Sequence, residues 1–195
     1  LSLFSVDKYK ELLKAKYEKA NNPRSEARYL HSLSVGRKAV EIVQRFNFDC
    51  DLKKIEIAGI LHDYAKFEPL ERYEEIVKRY NLDPSILNEN YKILHSLLGD
   101  YIVREELGIE DKQILNAIKY HTTGSLEMDR FAEVIYVADL AEDLRTKEGL
   151  KRMQELAKIN FYEAMLEKIK FSLEKVPNDL NRALYEKYKK YVTEV

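Results

Sequence analysis

The run Asp51-Leu52-Lys53-Lys54-Ile55-Glu56-Ile57-Ala58-Gly59-Ile60-Leu61-His62-Asp63-Tyr64-Ala65-Lys66 decides how the chain is read. Asp51 has the short acceptor side chain of a helix N-cap. Ile55, Ala58, Leu61 and His62 then recur at spacings of three and four, which is one face of an α-helix. The same period runs upstream through Val35, Ala39, Ile42, Val43 and Phe46, predicting a helix that opens at Pro23 and fades near Asn47. Downstream it predicts helices over Pro69 to Tyr80, a short one from Asp83-Pro84, then Tyr91 to Leu107, Asp111 to His121 and Asp129 to Leu144. Three more are expected over Glu148 to Asn160, Asn160 to Lys175 and Asn178 to Val192. Gly108 stands where a helix C-terminus needs a positive φ, and Gly124 marks a loop. No strand-like alternation, internal repeat or low-complexity segment interrupts this pattern. The expectation is an all-α fold: one domain over 1–195, with a helical bundle at 24–145 and C-terminal packing helices over 146–195.

Composition narrows the class of function. The 195 residues include 33 Lys plus Arg against 34 Asp plus Glu, a formal net charge of -1, with 45% hydrophobic residues. That is enough apolar material for a core and too little basic excess for broad nucleic-acid binding. No stable nucleic-acid partner is expected. The single cysteine, Cys50, cannot form an internal disulfide and fits a reducing cytoplasm. The opening Leu1-Ser2-Leu3-Phe4-Ser5-Val6 lacks a cationic lead and meets Asp7 at once, so it reads poorly as a signal peptide. Apolar runs such as Val134 to Ala138 fall far short of the roughly 18 residues of a membrane span, and no membrane association is expected.

All four histidines fall on apolar helix faces. His31 lies four residues before Val35, His62 four after Ala58, His95 four after Tyr91, and His121 four after Ala117. Asp139 is four after Ile135, and Asp63 follows His62 directly. One inward histidine is ordinarily a hydrogen-bonded core residue. An unpaired buried carboxylate is costly, however, and independent packing should leave at least one histidine on the surface. A single polynuclear metal centre accounts for His31, His62, Asp63, His95, His121 and Asp139 together. Imidazole and carboxylate ligands suit divalent Fe, Mn, Co, Ni or Zn. Because neighbours on a helix point about 100° apart, His62 and Asp63 can meet one ion only near a helix end.

The order His31, His62-Asp63, Asp139 resembles the signature of the HD phosphohydrolase superfamily. The strings Ala58 to Lys66, Ala117 to Gly124 and Val137 to Arg145 further resemble the YqeK-type HD proteins, bacterial symmetrical diadenosine tetraphosphate hydrolases. This resemblance implies a binuclear centre, with iron the favoured metal. His31, His62, Asp63 and Asp139 would hold one ion, and His95, His121 and the shared Asp63 the other. It implies cleavage of diadenosine tetraphosphate to ADP by a metal-activated hydroxide, with Asp63 and Lys66 in the catalytic machinery. Arg28, Lys66 and Arg145 are candidates to contact phosphate, with solvated surface charge as the alternative, and the Thr122-Thr123-Gly124 loop either binds phosphate or base through its amides or simply stops the helix. Glu142 could support a ligand histidine. Tyr185, Tyr188 and Tyr191 are expected to pack the last helix on the core or form a homodimer contact, with a nucleobase platform as the alternative. Two positions depart from the family pattern: Asp100 where a small residue is usual, and Asp143 where proline is usual. The competing readings are an HD phosphohydrolase acting on another nucleotide and a metal-bearing nucleotide sensor without turnover.

Overall fold

In the computed structural model, residues 5–193 are described, and they form eleven α-helices and two short 3-10 turns with no strand among them. Leu1 to Phe4, most of the stretch read above for a leader, lie outside the described residues, as do Glu194 and Val195.

Helix α1 (Val6–Ala20) was not anticipated; its buried Tyr9, Leu13 and Tyr17 recur every fourth residue, and the Ser5 hydroxyl caps it at Lys8 N. Helix α2 (Ser25–Arg45) begins two residues later than expected because Asn22 and Ser25 close a turn around Pro23. Asp51 caps α3 (Leu52–Leu61) by accepting from Lys54 N at 2.9 Å, as its side chain led one to expect. Helix α4 (Leu70–Arg79) and a 3-10 turn (Pro84–Asn88) follow. The single helix expected over Tyr91 to Leu107 is instead two, α5 (Tyr91–Leu97) and α6 (Gly99–Leu107). The break falls at Leu98-Gly99, where glycine is a weak helix former. Gly108 ends α6 with φ 67°, and Asp111 caps α7 (Lys112–Tyr120).

Helix α8 (Arg130–Ala141) is buried on all sides, with Phe131, Val134, Ile135, Val137 and Ala138 in the core and Glu133 and Asp139 as its buried polar residues, so it forms the axis of the core. It stops three residues before the expected Leu144 because Glu142 turns extended (ψ 153°), its side chain bonded to His31 of α2 and accepting from the Leu144 amide. Helices α9 (Lys151–Ile159), α10 (Phe161–Lys175) and α11 (Asp179–Thr193) cover one side of α8. Tyr188 of α11 is buried and donates to Glu133 Oε2 at 2.7 Å, while Tyr191 stacks on Tyr162 with centroids 4.5 Å apart. These two tyrosines therefore serve packing within the fold.

The tightest crossing is α2 over α3. A Cβ built on Gly59 would lie 2.6 Å from Gly36 Cα and 2.7 Å from Gly36 N. The two backbones touch, five residues beyond His31 and three before His62. Gly59→Ala must push the helices apart and should cost about 1–3 kcal/mol. Urea unfolding of the variant checks this; an unchanged midpoint would show that the crossing tolerates a methyl group.

Candidate metal centre

Five helices deliver six side chains to one buried point. His31 comes from the middle of α2 and Asp139 from α8. His62 and His121 are the residues immediately after α3 and α7, where the helix ends free the chain to turn. Asp63 opens the turn that follows His62, and His95 projects from α5. All six are buried, Asp139 the least at 9% exposed.

The atoms form two groups that meet at Asp63. On one side His31 Nε2 lies 3.2 Å from His62 Nε2, 3.1 Å from Asp139 Oδ1 and 3.9 Å from Asp63 Oδ2. His62 Nε2 is 3.4 Å from both Asp63 Oδ2 and Asp139 Oδ1. On the other side Asp63 Oδ1 is 2.9 Å from His95 Nε2 and 3.3 Å from His121 Nε2, and the two nitrogens are 3.3 Å apart. Ligands about 2.0–2.2 Å from one ion stand roughly 3–3.5 Å from each other. Both groups lie near that spacing, with the His31–Asp63 pair the widest at 3.9 Å.

Three rings are also fixed to present Nε2. The Nδ1 of His62 lies 2.6 Å from Gly59 O, and that of His121 2.6 Å from Ile118 O. A carbonyl only accepts, so both Nδ1 atoms carry the hydrogen and direct the Nε2 lone pair inward. His31 Nδ1 faces Glu142 Oε1 at 3.0 Å, which gives the same orientation. Facing lone pairs repel at such distances unless positive charge lies between them. The electrostatics agree. Burial opposes a charged ring, yet Asp63 and Asp139 raise His62 to about 9. Burial also opposes ionisation of Asp63, but His62 and Arg28 hold it well below the usual carboxylate range. Burial lowers His121 to about 4, keeping that ring a neutral donor. The donor set fits divalent metal.

Of the basic residues singled out from sequence, Arg28 pairs with Asp63 Oδ2 through Nη2, and its buried Nε has no hydrogen-bond partner among the described residues. Lys66 is half-buried with no ion pair among the described residues; burial lowers its pKa, against the pull of Asp63. Arg145 is already engaged at the cluster: its Nε and Nη2 donate to Asp139 O at 3.1 and 2.9 Å, and Nη2 reaches Asp139 Oδ1 at 3.2 Å. It positions a cluster carboxylate. The Gly124 amide donates to Tyr120 O at 2.8 Å and closes the end of α7, so it is not free for a phosphate. A Cβ at Gly124, where φ is 70°, would meet Leu184 at 2.9 Å, which explains the glycine by packing. Thr123 Oγ1 donates to Gly124 O at 3.0 Å, and Thr122 is half-buried beside it.

Sequence reasoning missed two supports. Tyr17 donates to Asp63 O at 2.6 Å, linking α1 to the centre. Lys168 of α10, buried at 2% exposure, donates to His121 O at 2.8 Å and to Tyr136 O, and lies 3.8 Å from Asp139 Oδ2. A lysine four residues after Ala164 and three after Met165, on an apolar stripe, was the available signal.

A family model described as HD domain matches residues 28–144. The chain belongs to the HD-domain family. It is 40% identical over 146 residues to the symmetrical bis(5'-nucleosyl)-tetraphosphatase of Bacillus subtilis (strain 168), spanning 75% of this chain and 77% of that one. The protein of the same name from Staphylococcus aureus is 36% identical over 153 residues, spanning 78% and 74%. A Clostridium acetobutylicum crystal structure, described as a predicted HD superfamily hydrolase involved in NAD metabolism, superimposes with a TM-score of 0.80 at 27% identity. The superposition covers 97% of this chain and all of that one.

The two departures from the family pattern acquire local explanations. Asp143 accepts from Lys38 Nζ at 2.9 Å, fastening the segment that carries Glu142 to α2. Asp100 occupies the first turn of α6, outside both ligand groups, with Oδ1 buried and unpartnered among the described residues. Burial raises its carboxyl to about 6, against the pull of Lys119. A raised folded-state pKa means that the folded protein holds the proton more tightly. Its contribution is intact below the unfolded value of about 3.9 and is lost as pH rises through about 6. Asp100→Ala should therefore gain about 1–3 kcal/mol over the parent at pH 8, and this pH-dependent gain should vanish towards pH 4. Urea unfolding at both pH values tests it; a difference that does not change with pH would contradict the burial argument.

Proposed function

We propose that the chain hydrolyses dinucleoside tetraphosphates symmetrically, converting diadenosine tetraphosphate and water into ADP alone. The observation that carries this reading is the divided Asp63 carboxylate, one oxygen facing His31 and His62, the other His95 and His121. It stands in an HD protein whose relatives are named for symmetrical cleavage. His31, His62, Asp63 and Asp139 would hold one divalent ion, and His95, His121 and Asp63 a second. Iron is the first choice, while Mn, Co, Ni or Zn accept the same donors. Bound there, the ions supply a water of lowered pKa and neutralise charge on the attacked phosphate.

The remaining work falls to the chain. Arg28 is already ordered by Asp63, and its orphaned buried Nε gains a partner when a phosphate oxygen reaches it. Lys66 has its ammonium unpaired among the described residues and can stabilise charge growing on the departing ADP. ADP is a fair leaving group, so a strong general acid is not required. Thr122 and Thr123 extend the phosphate-binding edge beyond His121. Arg145, Glu142 and Lys168 hold Asp139, His31 and the His121 carbonyl in place, and a change in them acts through those residues. Charge steering is local, because the chain carries a net charge of only -1. The described residues contain no helix long and apolar enough to cross a membrane. We assign the protein to the cytoplasm, with a small dinucleotide as its partner.

The test is incubation with diadenosine tetraphosphate and Fe(II), Mn(II) or Co(II), the iron handled anaerobically, followed by nucleotide chromatography. ADP as the sole nucleotide product is expected. ATP plus AMP would refute symmetrical cleavage. Turnover of a different nucleotide with the dinucleotide untouched would select the alternative HD phosphohydrolase.

A further inference from the structure

A cavity of about 220 Å³ opens between α1 and the turn after α3. Tyr17, Tyr64 and Phe67 give it aromatic walls, Ala20 lies at its edge, and Lys16 and Glu68 supply its polar groups. Tyr17 and Phe67 meet edge to face, with ring centroids 5.0 Å apart. Lys16 is drawn over the Tyr64 ring at 5.0 Å and is paired with both Glu68 and Glu106. Glu68 is only 7% exposed.

The cavity is one side chain away from the metal centre. Tyr17 forms its wall and also donates to the Asp63 carbonyl at 2.6 Å. Lys66 and Phe67 are successive residues: the ammonium is acted on by Asp63 and Asp139, and the ring lines the cavity. The half-buried Phe67 ring, backed by the buried Tyr17 and Tyr64, suits one face of a flat heteroaromatic ring. A carboxylate acceptor beside an ammonium donor matches the edge of a purine, which offers an exocyclic amine next to a ring nitrogen.

We propose that this cavity binds one purine base of the dinucleotide, with its phosphates lying at Arg28 and Lys66. The inference rests on the dinucleotide reading above and adds the element that separates a nucleotide from bare polyphosphate. Ala20 is exposed at the end of α1, so Ala20→Trp narrows the cavity without removing a buried contact. Three constants are measured on the metal-loaded full chain: KM for diadenosine tetraphosphate, and the inhibition constants of ADP and inorganic pyrophosphate. In Ala20→Trp the first two should rise about tenfold while the pyrophosphate constant stays within about twofold. Glu68→Gln, which keeps the side-chain volume, should raise the ADP constant in the same selective way if the tryptophan variant does not fold. Unchanged ADP inhibition in a folded variant overturns the proposal, as does an equal rise for ADP and pyrophosphate. A parent protein that fails to cleave the dinucleotide refutes the functional reading instead.

Discussion

The carboxylate of Asp63 is shared between two groups of imidazoles, and that sharing constrains five helices at once. Each oxygen serves a different group, so a shift of the turn after α3 disturbs both. The turn is accordingly fixed from several directions. Tyr17 holds the Asp63 carbonyl, Arg28 holds one carboxylate oxygen, and the Gly36–Gly59 contact sets the distance between the helices bearing His31 and His62. Burial of so many acceptors in one place would be unfavourable without positive charge among them. The rise of His62 to about 9 expresses the same demand in terms of a proton.

Around this point the protein uses backbone carbonyls and charged side chains to aim its donors. Gly59 O and Ile118 O fix two rings, and both come from the last turn of the helix that delivers the histidine. Glu142 does more: by leaving the helix it reaches His31, and its other oxygen accepts from Leu144 N at 2.7 Å. Arg145 and Lys168 then neutralise the Asp139 side. Lys168 pays the desolvation of a buried ammonium, which lowers its pKa to about 8, and in return ties α10 to the carbonyls of His121 and Tyr136. The C-terminal helices thus contribute to the centre although they lie beyond the matched HD segment at residues 28–144.

The sequence was most legible where one periodic signal sufficed. The stripe of α3, the Asp51 cap and the inward histidines were readable because a helix face repeats every three or four residues. The break at Leu98-Gly99 was not, since periodicity alone does not distinguish one helix from two short ones with similar stripes. The early end of α8 was equally hidden, because it depends on Glu142 meeting His31 from a distant helix. Arg145 was legible as a cation near the site but not as a donor committed to Asp139, and Gly124 as a loop residue but not as a packing glycine against Leu184. Lys168 and Tyr17 act through backbone carbonyls of residues far away in the chain, which leave no motif.

The central claim is that Asp63 joins two metal positions, and metal analysis of purified protein tests it most directly. Mass spectrometry of the parent chain, loaded anaerobically with Fe(II) or Mn(II) and freed of excess ion, should find about two equivalents. Asp63→Ala, checked for folding by circular dichroism, should hold fewer than the parent and lose turnover. A folded Asp63→Ala protein that keeps the parent's metal content and still cleaves diadenosine tetraphosphate would contradict the account.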